Sequence, residues 1–194
     1  MAQDSSRPDF WDTRYDSNAM PWDAGGVPAR FARHADALRP GSRILVPGCG
    51  TGYEACFLAA KGFDVVAIDF SAPAVALARS NAGPFEHCFV EADFFTFDPG
   101  AGFDAVYERA FLCALPRRTE EDYARRMAAL LLRDGALFGY WFFDDNLRGP
   151  PFGTTAERLT SLLSPAFNQE CDEAVADSLP VFAGKERWQV WRRR

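Results

Sequence analysis

The sequence has 194 residues, 48% of them hydrophobic and 25% charged, with a formal net charge of −6. This length and composition predict one globular domain, residues 1–194, with a sizeable core. The acidic balance argues against nucleic acid and anionic membranes as partners. No apolar run reaches the roughly 18–20 residues that span a bilayer. The polar N-terminus lacks the apolar segment of a secretory signal, so we expect a cytoplasmic protein.

The cysteines and histidines predict neither a disulfide framework nor a metal site. There are five cysteines, an odd number, and no CxxC pair occurs. The two histidines, His34 and His87, have no cysteine or carboxylate at a spacing typical of metal ligands. We therefore expect free thiols and no bound metal.

Residues 1–40 predict a helical cover that precedes the main fold. Phe10, Trp11, Arg14 and Tyr15 fit one face of a helix, and Trp22 follows after a proline. Large aromatic side chains this close to an N-terminus must pack against something. They either dock on the core or form a lid over a ligand site, and the sequence leaves both interpretations open.

Residues 41–194 alternate short apolar strands with helices. Strands are predicted at residues 44–46, 63–68, 87–91, 103–107, 135–143, 168–176 and 187–191. Helices are predicted at residues 54–61, 74–81, 119–132 and 156–163, with one more at 28–38 in the cover. This alternation is typical of an α/β fold with a mostly parallel, seven-stranded sheet and helices on both faces. The short connection around Gly184 predicts a final hairpin and hence one antiparallel strand.

Capping residues mark three of the predicted helix ends. Gly62 stands where a helix C-terminal glycine belongs. Ser71 is a candidate N-cap for the helix at 74–81. Thr119 and Asp122 resemble a capping box at the start of the helix at 119–132.

The stretch from Ile44 to Asp69 predicts half of a nucleotide-binding βαβ unit. Gly48, Gly50 and Gly52 directly follow the first strand, and Asp69 ends the next strand, about 20 residues after the glycines. The pattern is G-x-G-x-G, without the third glycine of a dinucleotide site or the Lys-Ser/Thr of a phosphate-binding loop. Such a loop suits a nucleoside whose other end is an amino acid, with the carboxylate accepting two ribose hydroxyls. A tight turn that binds no ligand is the alternative.

Asp93 and Phe94 follow the third predicted strand, at the same carboxyl edge of the sheet. A carboxylate or backbone group there can hydrogen-bond an adenine amino group, and the aromatic ring can lie against the base. Open α/β sheets bind ligands in the crevice outside this edge. The sequence therefore predicts a nucleoside site at this edge.

Seven short motifs show a family resemblance that extends from about Phe10 to Phe152. They are FWDTRY, PWD, ILVPGCGTGYE, VVAIDFS, EADFF, YERAFLCALP and GPPF. Together they resemble the thiopurine S-methyltransferase family, a branch of the class I S-adenosylmethionine-dependent methyltransferases that includes thiol and halide methyltransferases. The resemblance implies a Rossmann-like class I methyltransferase fold, S-adenosylmethionine as cofactor and S-adenosylhomocysteine as product. It also implies a small-molecule methyl acceptor, and we expect a monomer.

The resemblance further implies roles for individual residues. The residues implied for the cofactor are Trp11, Trp22, Gly48, Gly50, Gly52, Asp69, Asp93, Phe94 and Arg109. The residues implied for the methyl acceptor are Phe111, Arg148 and Phe152. Arg109 is the candidate catalytic residue because it matches the arginine of a D-R-A motif, although Glu108 replaces the usual aspartate. A salt bridge from Arg109 to Glu108 or Asp104 is the alternative role.

The expected reaction is an in-line displacement that moves a methyl group to a small soft nucleophile, a thiol or a thiopurine-like sulfur. A thiolate forms near neutral pH without a strong base, and Arg109 is a permanent cation that favours an anionic acceptor. A halide or a chalcogen oxyanion such as tellurite or selenite is the alternative acceptor. A nicotinamide-dependent oxidoreductase and a non-catalytic nucleoside sensor are the alternatives from other functional classes.

Overall fold

The computed structural model describes residues 4–146 and 148–194. In these residues the strands are β1 (Arg43–Pro47), β2 (Asp64–Asp69), β3 (Phe89–Glu91), β4 (Phe103–Arg109), β5 (Leu131–Phe142), β6 (Phe167–Ala174) and β7 (Glu186–Arg193). The α-helices are α1 (Pro8–Asp16), α2 (Ala29–Ala35), α3 (Tyr53–Ala60), α4 (Ala72–Ala82), α5 (Glu120–Leu130) and α6 (Ala156–Leu163). The strand order in the sheet is β3-β2-β1-β4-β5-β7-β6.

The chain divides into two compact units, Met1–Asp98 and Pro99–Arg194. In the first unit, β1 pairs in parallel with β2, and β2 pairs in parallel with β3. Ile44 and Leu45 of β1 are fully buried, and so is Leu58 of α3. A strand with consecutive buried apolar residues is typical of a parallel sheet that is covered on both faces.

In the second unit, β4 pairs in parallel with β5, whereas β7 is antiparallel to both β5 and β6. The predicted fold class, a mostly parallel seven-stranded α/β sheet with one reversed strand, is therefore confirmed. Residues 175–185 connect β6 to β7, and Gly184 in this connection has a φ of 73°. The single domain over residues 1–194, with a cover at 1–40, stays a prediction.

All seven strands differ from their predicted bounds by at least one residue, and two of the differences have a local cause. β5 begins at Leu131 instead of Gly135, because Leu131 pairs with Phe103 before a register shift brings Ala136 opposite Ala105. The strand predicted at 87–91 is shorter, because residues Gly83–Cys88 form a 3-10 helix with a proline in its first turn. A proline with its fixed φ fits that position in a helix.

The helix caps were predicted correctly at two of the three ends. The Ser71 hydroxyl accepts a hydrogen bond from the Ala74 N–H at 3.4 Å, and Gly62 has a left-handed φ of 84°. The capping box at Thr119 was wrong, because the Thr119 hydroxyl donates to the carbonyl of Pro116 at 2.7 Å instead. No helix in residues 4–146 and 148–194 combines the length and apolar character that crossing a membrane requires.

Candidate active site

The loop between β1 and α3 contains three glycines with left-handed backbone conformations. The φ angles of Gly48, Gly50 and Gly52 are 60°, 52° and 83°. L-residues adopt this region at a cost of roughly 1–2 kcal/mol, so glycine suits all three positions. At Gly52 a side chain is also excluded by packing, because an added Cβ would lie 2.6 Å from the ring of Phe89. Backbone conformation and the packing of Phe89 therefore both favour glycine at Gly52.

Asp69 ends β2 and presents its carboxylate to this loop. Oδ2 accepts a hydrogen bond from the Gly50 N–H at 3.2 Å, and Oδ1 accepts one from the Ser71 N–H at 3.0 Å. The residue is only 8% exposed. Burial raises the pKa of Asp69 to about 6, and the backbone N–H groups oppose that rise. A carboxylate accepts about four hydrogen bonds, so Asp69 keeps acceptor capacity beyond its bonds to the backbone.

Aromatic side chains of the N-terminal segment cluster beside the glycine loop. The rings of Trp11 and Trp22 meet edge to face with centroids 5.4 Å apart, and those of Tyr15 and Trp22 are 6.1 Å apart. The Tyr15 hydroxyl lies 3.1 Å from the position that a Cβ on Gly50 would take. Burial raises the pKa of Tyr15, and the negative charge of Asp69 adds to the rise. Trp11 and Trp22, both predicted for the cofactor, are thus brought together within the first unit.

Asp93 and Phe94 follow β3, as predicted. Asp93 is exposed, and its Oδ1 accepts a hydrogen bond from the Phe95 N–H at 2.9 Å. Phe94 is 4% exposed and packs edge to face on the ring of Phe95. The carboxylate therefore closes a local turn, and contact of either residue with an adenine stays a prediction.

In the second unit, Arg109 ends β4. Its guanidinium carbon lies 4.9 Å from the ring centroid of Tyr140, its partner in the β4–β5 register. The Tyr140 hydroxyl donates to Oδ2 of Asp177 at 3.4 Å. Glu186, at the start of β7, is buried and interacts electrostatically with Arg109. The arginine predicted to be catalytic thus stands at a strand end beside an aromatic ring and an acidic residue.

The carboxylate of Glu108 organises the chain that follows β4. It accepts hydrogen bonds from the N–H groups of Phe111 at 3.0 Å and Leu112 at 3.1 Å, and from the Tyr123 hydroxyl at 2.6 Å. Glu108 is 1% exposed, and burial raises its pKa to about 7. The glutamate that replaces the family aspartate therefore holds the turn at Leu112–Ala114.

Of the three residues predicted for the acceptor, only Phe152 lines the pocket at this turn. The Phe152 N–H donates to the carbonyl of Cys113 at 2.7 Å, and both residues line the pocket together with Glu108. The ring of Phe111 lies 6.3 Å from that of Tyr123. Arg148 is exposed and does not line this pocket.

The family of the chain follows from its match to a family model. Residues 6–194 match the model described as Thiopurine S-methyltransferase (TPMT). The chain belongs to the thiopurine S-methyltransferase family. It is similar to "Probable thiol methyltransferase 2" of Arabidopsis thaliana, with 31% identity over 80% of this chain and 71% of the relative. It is also similar to "Thiocyanate methyltransferase 1" of the same plant, with 29% identity over 94% of this chain and 84% of the relative.

Solved structures agree with the fold of this thiopurine S-methyltransferase family member. The 1,6-didemethyltoxoflavin-N1-methyltransferase of Burkholderia thailandensis, crystallised with S-adenosylhomocysteine, aligns with a TM-score of 0.79 and 21% identity. The alignment covers 96% of this chain and 86% of that chain. Family and fold together identify the chain as an S-adenosylmethionine-dependent methyltransferase.

Several residues that the structure places at these sites were not predicted from the sequence. They are Asp12, Tyr15, Glu108, Tyr123 and Glu186. One signal was available for Tyr15, because it follows Trp11 by one helical turn and so shares its face. Glu108 was noticed only as a departure from the family motif.

Proposed function

We propose that this family member transfers a methyl group from S-adenosylmethionine to a small thiol or a thiopurine-like sulfur. The observation that carries the proposal is the buried carboxylate of Asp69 beneath the glycine loop, 3.2 Å from the Gly50 N–H. A buried carboxylate with unused acceptor capacity suits a ligand that brings paired hydroxyl donors. The sulfur acceptor is supported by the family and by the relative named a thiol methyltransferase.

The residues of the first unit fit this cofactor. Asp69 accepts the ribose hydroxyls, and the backbone of the glycine loop contacts the amino-acid end. Trp11 and Trp22 supply ring faces for a cationic sulfonium, an attraction of about 0.5–2 kcal/mol per ring. We add Tyr15 to this set, since its hydroxyl lies beside Gly50. Asp93 and Phe94 are proposed to contact the adenine. When bound, the cofactor supplies an electrophilic methyl group.

The residues of the second unit are proposed to handle the acceptor. Arg109 is a permanent cation at the end of β4, and it favours an acceptor that develops or bears negative charge. Phe111 and Phe152 provide apolar surface that excludes water, while the exposed Arg148 attracts anions. In-line transfer needs no covalent enzyme intermediate, so the protein's task is alignment and exclusion of water. We also expect a monomeric, cytoplasmic enzyme without nucleic-acid or membrane partners.

An anion that needs no deprotonation before it reacts is the second candidate methyl acceptor. The relative named a thiocyanate methyltransferase and the cation of Arg109 both favour it. Tellurite and selenite are further anions to test.

An acceptor panel with radiolabelled S-adenosylmethionine tests the proposal. We expect methyl transfer to small thiols in reactions that contain the protein, and no methylated product in reactions without it. Calorimetry should show S-adenosylhomocysteine binding that Asp69→Ala weakens at least about tenfold, because a charged hydrogen-bond acceptor is lost. Asp64→Ala is the matched control, since Asp64 is an exposed carboxylate at the other end of β2. No transfer to any thiol would refute the acceptor, and equal affinities of wild type and Asp69→Ala would refute the ribose role.

A further inference from the structure

Glu186 lies at the edge of the second unit where ligands of open α/β sheets bind. It opens β7, and the antiparallel register places it opposite Phe142, the last residue of β5. The start of the reversed strand β7 therefore coincides with the carboxyl end of β5. Parallel sheets bind ligands outside this end of their strands.

The side chain of Glu186 is buried, which is costly for a carboxylate. The residue is 6% exposed, and its Oε2 has no hydrogen-bond partner among residues 4–146 and 148–194. Buried polar atoms are normally satisfied, so an exception calls for an explanation. Burial accordingly raises the pKa of Glu186, whereas the Ser178 hydroxyl and the charge of Arg109 favour the ionised form.

Arg109 supplies positive charge next to Glu186. Asp177, in the β6–β7 connection, adds negative charge and also accepts from Tyr140, whose ring lies against the guanidinium of Arg109. The cations next to Glu186 in the chain are engaged elsewhere. Lys185 pairs with Asp144, and Arg187 pairs with Asp172.

We propose that Glu186 is a positioning residue that sets acceptor preference by offsetting the positive charge of Arg109. This inference rests on the proposed function, in which Arg109 faces the acceptor. With Glu186 ionised, its negative charge offsets that of Arg109, which favours, over a permanent anion, a thiol that binds in its neutral form and releases its proton to water before methyl transfer. With Glu186 neutral, this offsetting negative charge is lost and a permanent anion binds more tightly. Because Glu186 acts through Arg109, it needs no contact with the acceptor.

Glu186→Gln tests the inference, because it keeps the shape of the side chain and removes its charge. We expect the ratio of kcat/KM for thiocyanate to kcat/KM for a small thiol to rise about fivefold or more, mainly through a lower KM for thiocyanate. Glu186→Asp should stay near the wild-type ratio. Glu170→Gln is the matched control, because Glu170 is exposed and pairs with Arg192 at the other end of β7.

A double-mutant cycle shows whether the effect passes through Arg109. In an Arg109→Gln background, Glu186→Gln should leave the thiocyanate preference unchanged. An equal rise in both backgrounds, or no rise in either, would overturn the inference. Thiocyanate binding to the S-adenosylhomocysteine complex, measured by calorimetry, gives the same comparison without turnover. If the wild type methylates no acceptor, the proposed function fails, and this binding comparison still decides the charge relationship.

The wild-type protein provides a test that does not depend on a variant folding. The KM for thiocyanate should rise with pH, because ionisation of Glu186 cancels the charge that attracts the anion. The change should occur above the ordinary pKa of a glutamate, since burial raises the pKa of Glu186. A KM for thiocyanate that is constant from pH 5 to pH 8 would contradict the inference.

Discussion

The hydroxyl of Ser71 donates a 2.6 Å hydrogen bond to Oδ1 of Asp12 and thereby ties helix α1 to the start of helix α4. Ser71 also caps α4, and its own N–H donates to Asp69. One residue thus connects the N-terminal segment to the carboxylate proposed to bind the ribose. The helix held in this way contains Trp11 and Tyr15, so its docking shapes the proposed cofactor site.

The Asp12 carboxylate is expected to act on cofactor binding through Ser71 and not by touching the cofactor. Its loss should therefore weaken cofactor binding. We expect Asp12→Ala to lower S-adenosylhomocysteine affinity about fivefold, equivalent to one net hydrogen bond of about 1 kcal/mol. Asp16→Ala is the control, because Asp16 is an exposed aspartate in the last turn of the same helix. Calorimetry gives the affinities, and limited proteolysis near residue 7 reports release of α1. Equal affinities for the two variants would show that the Ser71 bond does not organise the site.

The pKa of Asp69 predicts a proton release on cofactor binding. Burial raises this pKa to about 6 in the ligand-free protein, and ribose hydroxyl donors stabilise the ionised form and so lower it. S-adenosylhomocysteine affinity should therefore fall as the pH drops below about 6, by at most about tenfold per pH unit. Asp69→Asn should bind more weakly at neutral pH and show no such dependence.

Calorimetry in buffers of different ionisation enthalpy measures the released protons. Asp64→Asn should release as many protons as the wild type, because Asp64 is exposed at the start of β2. An identical pH profile for wild type and Asp69→Asn would exclude Asp69 as the titrating group.

Local sequence patterns predicted the parts of the site that depend on backbone geometry. Gly52 and Asp69 were singled out because a left-handed loop needs glycine and because a strand end fixes where its last side chain lies. Tyr15 and Asp12 were not singled out, since their proposed roles depend on how α1 docks. The proposed role of Glu186 depends on a strand pairing between residues that are distant in sequence. The early start of β5 was missed for the same reason, because Leu131 is extended only by its pairing with Phe103.

Alanine at Gly52 and at Gly62 should separate backbone strain from packing. The two glycines have nearly equal φ angles, 83° and 84°, so each alanine should cost roughly 1–2 kcal/mol in strain. At Gly62 no atom lies within 4 Å of the added Cβ, whereas at Gly52 the Phe89 ring lies at 2.6 Å. We expect Gly52→Ala to lose about 1–3 kcal/mol more of the unfolding free energy. Urea denaturation measures both, and equal losses would mean that Phe89 moves aside freely.

Glu108 should make the unfolding free energy fall as the pH rises. Its pKa is about 7 in the folded protein against an ordinary value of 4.5, so the folded state holds its proton more tightly than the unfolded state. That stabilisation is complete below about pH 4.5 and is lost as the pH rises towards 7, a change on the order of 3 kcal/mol. Glu108→Gln cannot titrate. The unfolding free energy of the wild type, relative to this variant, should therefore decrease between pH 5 and pH 8.

Tyr123→Phe provides the complementary test of the same buried group. The Tyr123 hydroxyl favours the ionised carboxylate, so its removal should raise the pKa of Glu108 further and extend the loss of stability above pH 7. Urea denaturation at closely spaced pH values gives the unfolding free energies, and carboxyl-carbon NMR gives the titration of Glu108 directly. A difference between wild type and Glu108→Gln that is independent of pH would show that Glu108 keeps an ordinary pKa. An unshifted titration in Tyr123→Phe would show that the 2.6 Å hydrogen bond does not stabilise the charge.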